Sequence, residues 1–536
     1  MFLGMSALGS FYLAITQILE DVLCRKYYKD RGQSLENGFD QRLCKVDIVQ
    51  HDLAFTFAKY FSIRAIVAVV VALPWGIVAD RVKRRTSTGL AATGITLETL
   101  SFALICYFGD RLDTRLVILT PIFDIIGGSN PILLSSTLAI ASDVIAESSR
   151  GTVFLQLHVA SSLGSLMSPA IAGLIMQRYG PWRVIVFSFI LMGLTLFFFV
   201  FVVPETRRTA TTKVKKLVND NGDGNNSPET IPEHHERAER QSVAQSLAAD
   251  ARTAVSDIRD SGSVLLGSPS LVCVVLVQLA NFPILQCTGQ FMNQFASKRY
   301  GISIAQTGYL SSVFGIANLV VAVGVVPLLS SFLMKSPLFS ADPSAIEPVA
   351  SSRPVSPSGS TDSTSLEEGD GVHSHVKHHH RHNHRYRDLL LARGSYVVNF
   401  LSALVLAASP GIPTFVTGLI LLSLGSAFTS LTRALASMYA GERHRARVFT
   451  IIAVSEEVGS IFGHPLLAEL FSAGMRLDRR AAGGEGGGTG TAWFPWLGLP
   501  YFGVAGLSLY GLGLLLLARV PKGESKVEEE EERLLD

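Results

Sequence analysis

The sequence predicts an all-α membrane protein with twelve transmembrane helices, arranged as two pseudo-symmetric six-helix bundles. Of the 536 residues, 48% are hydrophobic and only 17% are charged, and the charges cluster between apolar runs of about 20 residues. Each run is long enough to cross a hydrocarbon core of about 30 Å. Two distant stretches of the chain are also similar to each other. The formal net charge of +2 gives no reason to expect nucleic acid as a partner.

The apolar runs define the spans in order. We place the first six near Leu3–Leu23, Phe55–Val78, Thr86–Tyr107, Leu116–Ser142, Thr152–Gln177 and Trp182–Val203. The second six lie near Val264–Gln290, Ile304–Leu333, Leu389–Ser409, Thr414–Tyr439, Val448–Phe471 and Trp493–Leu517. The first run lacks a basic leader and a small-residue cleavage site, which predicts a retained helix rather than a signal peptide.

The loops predict the orientation and the domain boundaries. With the N-terminus inside, 27 of the 46 Lys and Arg residues lie on the cytosolic side, as the positive-inside rule requires. Both termini are therefore expected in the cytosol. The domains are an N-terminal bundle (1–205), a cytosolic linker (206–263), a C-terminal bundle (264–520) and an acidic cytosolic tail (521–536).

The two halves look like copies. Thr137–Ser165 aligns with Thr432–Ser460 without gaps, with 11 identities in 29 positions, and the Glu-x-x-Arg of the turn occurs in both. Chance similarity between apolar helices is the alternative. Duplication of this kind is typical of secondary transporters, whose substrate site lies between the halves near the membrane midplane.

Two long loops have the composition of segments without a core. In the linker, apolar residues from Val243 to Ile258 recur at helical spacing, and they form either a surface helix or a transient one. The loop 335–388 is rich in Ser and Pro and then in His, and it is predicted to be disordered and cytosolic. Its His run, interleaved with basic residues, favours a solvated basic loop over a zinc sensor, so no metal site and no cofactor are predicted.

Three motifs carry a resemblance to a known family. Gly76-Ile-Val-Ala-Asp80-Arg81-Val-Lys-Arg84-Arg85 resembles the loop signature G-x-x-x-D-R-x-G-R-R of the major facilitator superfamily, with Lys83 at its second glycine. Pro204-Glu205-Thr206 is similar to a common junction there, and Cys24-Arg25-Lys26-Tyr27-Tyr28…Cys44 is similar to an outer-loop pattern of fungal multidrug-efflux-like members. The resemblance implies the major facilitator fold and transport. The Arg that proton antiporters usually carry in the fourth helix is absent, and Asp124 lies near its place.

The loop signature predicts a conformational latch. A charged cluster in a short loop can pair with a helix end or a carboxylate in one conformation and release it in another. We assign to this latch Gly76, Asp80, Arg81, Arg84, Arg85, and the Glu147 and Arg150 of the repeated turn. The alternative is a loop whose basic residues only fix topology.

Helix five carries a face of small residues with a proline: Gly164, Ser168, Pro169, Ala172 and Gly173. This face resembles, in degenerate form, the G-x-x-x-G-P-x-x-G-G element of antiporter-type members. Small residues let helices approach closely. The face predicts either packing that allows the halves to rock or ordinary helix packing.

Ionisable residues at membrane depth are costly and therefore candidates for function. Asp124 and Glu456, one in each half, are predicted to carry protons, with a permanent pairing of Asp124, for example with Arg64, as the alternative. Glu98 is expected to face a polar partner. Amides predicted to line a substrate cavity, or else to bond between helices, are Gln278, Asn281, Gln286, Gln290 and Asn318.

Cys24 and Cys44 both fall in the first exterior loop, where oxidising conditions allow a disulfide; two free thiols are the alternative. Cys106, Cys273 and Cys287 fall in or near helices and are predicted to be packing residues.

Function follows as an expectation. Neither a Walker element nor a nucleophile–base set occurs in the sequence, so an enzyme is not predicted and transport needs an ion gradient. We expect a secondary active transporter that moves a small organic solute by alternating access, coupled to protons, as a monomer in the lipid bilayer. A membrane sensor that keeps the transporter fold is the alternative. The acidic Glu530–Leu535 resembles a dileucine sorting signal, which leaves the plasma membrane and the vacuolar membrane as possible locations.

Overall fold

The computed structural model describes residues 1–33, 40–144, 150–203, 269–325, 328–329, 370–426, 428–481 and 495–518. Every regular element in these ranges is a helix. The α-helices are α1 (Phe2–Lys29), α2 (Asp47–Arg81), α3 (Arg84–Tyr107), α4 (Ser129–Val144), α5 (Arg150–Tyr179), α6 (Pro181–Phe197), α7 (Pro269–Phe282), α8 (Thr288–Tyr300), α9 (Ile304–Val320), α10 (Asp370–Ala408), α11 (Ile412–Gly425), α12 (Phe428–Ala481) and α13 (Leu499–Leu517).

Helical segments long and apolar enough to cross a membrane number ten within the described ranges, and two shorter apolar helices accompany them. The two short ones, Pro269–Leu285 and Ile412–Gly425, lie where the sequence predicts the seventh and tenth spans. The all-helical fold and the multi-pass character predicted from the sequence are thus confirmed, and the positions are consistent with twelve spans.

Each half packs around its own core, and each core also accepts one helix from the other half. The C-terminal core includes Ala54 and Ala58 of α2, whereas the N-terminal core includes Ile304 and Ala305 of α9. These helices are the second span of each half. The exchange is therefore reciprocal, as expected for two copies related by a pseudo-two-fold axis.

The fourth span is broken beside Asp124. A 3-10 segment, Thr114–Ile126, ends at Gly127, and α4 begins at Ser129. Gly128 and Ser129 have φ angles of 80° and 64°, in the left-handed region where a residue with a Cβ is strained. Discontinuous helices in transporters commonly form the binding sites for ions and substrates.

The chain reverses direction within α12. In a straight helix, two residues 23 positions apart would be about 35 Å apart. The guanidinium of Arg433 nevertheless lies 2.6 Å from the carboxylate of Glu456. The tenth and eleventh spans therefore lie side by side, as the sequence predicts.

The helix that carries the ninth span begins well before the span itself. Its helix, α10, starts at Asp370 and takes in the His-rich stretch that the sequence assigns to a disordered loop. The backbone hydrogen bonding of a continuous helix thus extends beyond the apolar residues, although the membrane-length segment is Asp388–Ala408. The linker 206–263, most of the loop 335–388 and the tail 521–536 lie outside the described residues.

Candidate functional site

A buried ion cluster lies inside the N-terminal half, where α2, α3 and the broken fourth span meet. The Nε of Arg64 is 3.3 Å from Oε1 of Glu98 and 3.4 Å from Oδ2 of Asp124. Both carboxyl groups are fully buried, and the side chain of Arg64 is 13% exposed. One cation is thus shared by two acids from different spans.

Hydroxyl groups complete the cluster. Tyr60 donates a hydrogen bond of 2.5 Å to Oε1 of Glu98, and Nη1 of Arg64 donates one of 2.7 Å to the hydroxyl of Tyr12. Ser129, the first residue of α4, donates a bond of 2.8 Å to Oδ2 of Asp124. The break in the fourth span therefore places a helix N-terminus against the Asp124 carboxylate, where the helix dipole favours negative charge.

The cluster is unbalanced in charge. With both acids ionised, it carries two negative charges and one positive charge. Nη2 of Arg64, Oε2 of Glu98 and Oδ1 of Asp124 are buried without hydrogen-bond partners among the described residues. Burying a surplus charge costs several kcal/mol, and one bound proton removes that surplus. The arrangement can therefore take up and release a proton.

The two halves contact each other along α2 and α12. The cluster lies at the deeper end of this contact, which we call its inner end. Closer to the disulfide, the ring of His464 stacks on Phe61 at 4.9 Å, and Ser62 donates a 2.9 Å bond to the carbonyl of Ile461. Arg64 is 17 residues after the start of α2, or about 25 Å along its axis.

The opposite end of this contact is an ion-pair cluster that joins the halves. Asp47, the first residue of α2, pairs with Lys298 of α8 at 2.7 Å and also with Arg479 of α12. One turn further along, Nδ1 of His51 lies 2.8 Å from Oγ of Ser472. We call the end of the bundle that carries Asp47 the disulfide end.

A disulfide holds the chain just before Asp47. Cys24 and Cys44, the predicted pair, are bonded to each other, and both are buried. The backbone carbonyl of Lys45 accepts a hydrogen bond from the Lys298 ammonium group. The disulfide therefore ties the end of α1 to the loop that meets the C-terminal half.

The pseudo-symmetric counterpart of this contact is formed by α5 and α9. Ser312 donates to the carbonyl of Leu166 at 2.8 Å and accepts from the amide of Ala170 at 3.1 Å. A Cβ on Gly308 would collide with the carbonyl of Pro169, and one on Gly173 with that of Ala305. Part of the predicted small-residue face of helix five thus packs against the other half.

The rest of that face packs within the N-terminal half. Ser6 of α1 donates a 3.3 Å bond to the carbonyl of Gly164, and Ser168 lies against Gly9. The face therefore has two sides, one for each half.

The second predicted proton carrier, Glu456, has a partner in its own half. Arg433 donates to both of its carboxylate oxygens, at 2.6 and 2.8 Å. Such a two-point contact is a strong, charge-assisted pairing. The structure thus places Glu456 in a balanced pair, in contrast to Asp124.

Two of the predicted cavity amides lie in a buried network of the C-terminal half. Asn281 donates to Gln278 and, at 3.3 Å, to Thr432, and it accepts from the hydroxyl of Tyr396. Asn318 bonds to the carbonyl of Phe314 in its own helix at 3.1 Å. Asn281 therefore bonds between helices, which is the alternative that the sequence left open, whereas Gln278 bonds to Asn281 within its own helix.

Several predicted residues cannot be placed. The structure does not describe the surroundings of Gly76 or the side chains of Asp80, Arg81, Arg150, Gln286 and Gln290. Glu147 lies wholly outside the described residues. Of the predicted latch, Arg84 and Arg85 begin α3, and both are partly exposed. Groups of three or more His, Cys, Asp or Glu side chains that could hold a metal ion do not occur in the described part of the chain.

Sequence reasoning named Arg64 only as a possible partner and did not single out Asp47, Lys298 or His464. Arg64 carries a usable signal, because it is an arginine inside the apolar run 55–78 and such a charge needs a partner. Asp47 and Lys298 lie at helix ends, where charged residues are common and give no comparable signal.

Comparison with known proteins agrees with this fold. The family model of the Major Facilitator Superfamily matches residues 45–345, which is more than half of the chain. The protein belongs to that superfamily of membrane transporters, as the loop motifs indicate.

Its relatives include fungal efflux proteins. The chain is 23% identical to the MFS efflux pump atnC of Emericella nidulans over 518 residues, which cover 95% of this chain and 84% of the relative. It is 24% identical to the efflux pump ustT of Aspergillus flavus over 465 residues, which cover 86% of this chain and 78% of the relative.

Solved structures share the fold. A D-xylose–proton symporter matches with a TM-score of 0.56 at 13% identity, covering 97% of this chain and 98% of its own. A bacterial homolog of the human lysosomal transporter Spinster, in an inward-facing and occupied conformation, matches with a TM-score of 0.53 at 12% identity, over 97% and 98% of the two chains.

Proposed function

We propose that this protein is a proton-coupled exporter of small organic solutes that works by alternating access between its two halves. The observation that carries the proposal is the contact between the halves along α2 and α12. It runs from the Asp47 ion pairs at the disulfide end to the hydrogen bond between Ser62 and Ile461, about 22 Å deeper. A contact of that depth closes one end of the path between the halves.

The closed end is the exterior. The disulfide between Cys24 and Cys44 requires an oxidising compartment, and the basic short loops lie at the opposite end, where the positive-inside rule places the cytosol. Both termini are then cytosolic, in the plasma membrane or the vacuolar membrane. The conformation described above is closed to the outside, or to the vacuolar lumen.

Transport requires that this contact break. Ion pairs, hydrogen bonds and the packing of Gly308 on Pro169 can separate as a unit, because they join the halves rather than holding either half together. The latch formed by Asp80, Arg84 and the other predicted residues would then close the cytosolic end. Two alternating closures give access to one side at a time.

Proton coupling uses the acid cluster at the inner end of the contact. Asp124, predicted from the sequence, lies with Glu98 around Arg64, and the surplus negative charge favours one bound proton. Glu456 is the second candidate, but its pairing with Arg433 leaves it no surplus charge. Because Ser62, two residues before Arg64, bonds to Ile461 of the other half, protonation of the cluster changes the electrostatics beside the contact between the halves.

The direction of transport rests on the relatives. The curated relatives atnC and ustT are both named efflux pumps, and most of their length aligns with this chain. Export of an organic compound against entry of protons is the reaction that fits these names and the buried acids.

Flux in proteoliposomes tests the proposal. Purified protein is reconstituted, a pH gradient is imposed, and the movement of a panel of fluorescent cationic, neutral and anionic organic compounds is followed. A dye inside the vesicles reports proton movement. We expect compound movement that depends on the gradient and is accompanied by proton flux in the opposite direction. Binding of panel compounds without flux would favour the sensor, and flux that ignores the gradient would exclude proton coupling.

A further inference from the structure

We infer that the exchangeable proton of the buried cluster resides on Glu98, with Asp124 as the permanent counter-ion of Arg64. Neither the motif resemblance nor the relatives assign a role to Glu98. The inference rests on the proposed proton coupling for its function, but its chemistry can be tested without transport.

The direction of the single shared N–H distinguishes the two acids. The Nε–H of Arg64 makes its hydrogen bond to Oδ2 of Asp124, whereas its contact with Oε1 of Glu98 is an ion pair at 3.3 Å without hydrogen-bond geometry. A hydrogen bond from a charged donor favours the ionised form of its acceptor. Asp124 therefore interacts more strongly with the guanidinium than Glu98 does.

The surroundings of the two carboxyl groups point the same way. Asp124 faces the first residue of α4, Ser129, which donates to it, and the helix N-terminus adds positive potential. Glu98 lies in the middle of α3, within Arg84–Tyr107, away from any end of that helix. The neutral form of an acid is therefore cheaper to bury at Glu98.

The neighbours of Glu98 can serve both of its protonation states. The Tyr60 hydroxyl donates to a carboxylate, and it can turn to accept from a carboxylic acid. The other charged or titratable groups that face the cluster are Arg64 on α2, Tyr12 on α1, Asp124 beside α4, and Glu457 on α12. Loading a proton on Glu98 leaves Arg64 and Asp124 as a neutral pair.

The test is pH-difference infrared spectroscopy of the reconstituted protein, which detects the carbonyl stretch of a protonated carboxylic acid. We expect the wild type to show a buried acid band that titrates, and Glu98→Gln to lose it. In Asp124→Asn the band should persist with its midpoint moved to lower pH by about 1–3 units, because Glu98 becomes the only acid of the cluster beside Arg64.

The controls keep the result interpretable. Glu20→Gln removes another fully buried acid, one that pairs with Lys45 at 2.6 Å, and it should leave the band unchanged. Glu98→Asp should restore a titrating band. Size-exclusion chromatography and circular dichroism establish that each variant is folded.

Other outcomes contradict the inference. A band lost in Asp124→Asn but kept in Glu98→Gln would place the proton on Asp124. Loss in both variants would mean that the acids share it, and retention in both would place it outside the cluster. A transport assay in the same vesicles separates this question from the proposed function. A band on Glu98 without gradient-driven flux would contradict proton-coupled transport and leave the assignment of the proton intact.

Discussion

The carboxylate of Asp47 in the N-terminal half lies 2.7 Å from the ammonium group of Lys298 in the C-terminal half. The same carboxylate pairs with Arg479, so one aspartate joins two helices of the opposite half. Both pairs are partly exposed, which limits each to about 1 kcal/mol. In the proposed transport cycle, these pairs form only when the disulfide end is closed.

Asp47→Asn is therefore expected to favour opening of the disulfide end. Loss of two pairs of about 1 kcal/mol each shifts the equilibrium by roughly tenfold or more, since 1.4 kcal/mol is a factor of ten. The measurement is the distance between spin labels at the exposed Arg42 and Arg480, which should lengthen in a larger fraction of molecules. Labels attached through an unnatural amino acid avoid the native cysteines.

The matched control for this substitution is Asp113→Asn. Asp113 also forms an ion pair, with Lys26 at 3.5 Å, but both partners belong to the N-terminal half. Its loss should leave the distance distribution unchanged. An equal shift in both variants would show that the Asp47 pairs do not join the halves selectively.

Gly308→Ala should disturb the same closure from the other side of the bundle. An added Cβ meets the backbone carbonyl of Pro169 in α5, which cannot move as a flexible side chain would. The closure of the disulfide end should weaken, and labels placed on α5 and α9 should then lie further apart. Gly513→Ala, which has open space around its Cβ position, should instead add about 1 kcal/mol of helix stability.

The predicted latch is tested by Asp80→Asn. The substitution removes one charge without changing shape, so folding and surface expression should persist while transport falls. Arg84→Ala should behave similarly, and a substitution at Lys83 should matter less. Normal turnover in Asp80→Asn, measured as flux per molecule at the surface, would reduce the loop to a topology signal.

Asp124→Asn should lose gradient-driven accumulation and retain solute exchange. Without Asp124, Glu98 is the only acid of the cluster beside Arg64, so the surplus negative charge is gone and a proton no longer loads at working pH. Exchange needs no net proton movement and should survive. The measurement compares accumulation and exchange of the same fluorescent compound in vesicles. Concentration of that compound by Asp124→Asn on a pH gradient would contradict this role.

Glu456→Gln is the companion experiment. Its pair with Arg433 is balanced in charge, so the substitution should lower stability by leaving a cation without its partner, but it should keep accumulation dependent on the gradient. Loss of coupling with normal stability would restore Glu456 as a proton carrier.

Removal of the disulfide should destabilise the protein and should also weaken the closure of the disulfide end. The bond closes a loop with a sequence separation of 20 residues, and replacing both Cys24 and Cys44 by Ser is expected to cost about 3 kcal/mol. Thermal unfolding in detergent measures the loss, and the label distance measures the closure. Cys273→Ser, which changes a free cysteine, is the control and should change neither.

The fold class, the family motifs and the candidate acids could all be predicted from the sequence alone. Span length and the clustering of charge are local properties of the sequence that decide whether a segment crosses a bilayer. The apolar runs can therefore be assigned without knowing how the helices pack. The loop Gly76–Arg85 and the cysteine pair are likewise short-range patterns. Asp124 was found because a carboxyl group inside an apolar run is costly wherever its neighbours lie.

The partners of these residues are apparent only in the folded structure. Arg64, Glu98 and Asp124 belong to different spans, and no periodicity shows that one guanidinium serves both acids. Gln278 and Asn281 have the composition of cavity residues, yet packing places them in a buried network with Thr432 and Tyr396. Asp47 meets Lys298 because two halves related by duplication close on each other. Contacts between distant spans depend on how helices pack, and a local pattern along one helix does not encode the helix that packs against it.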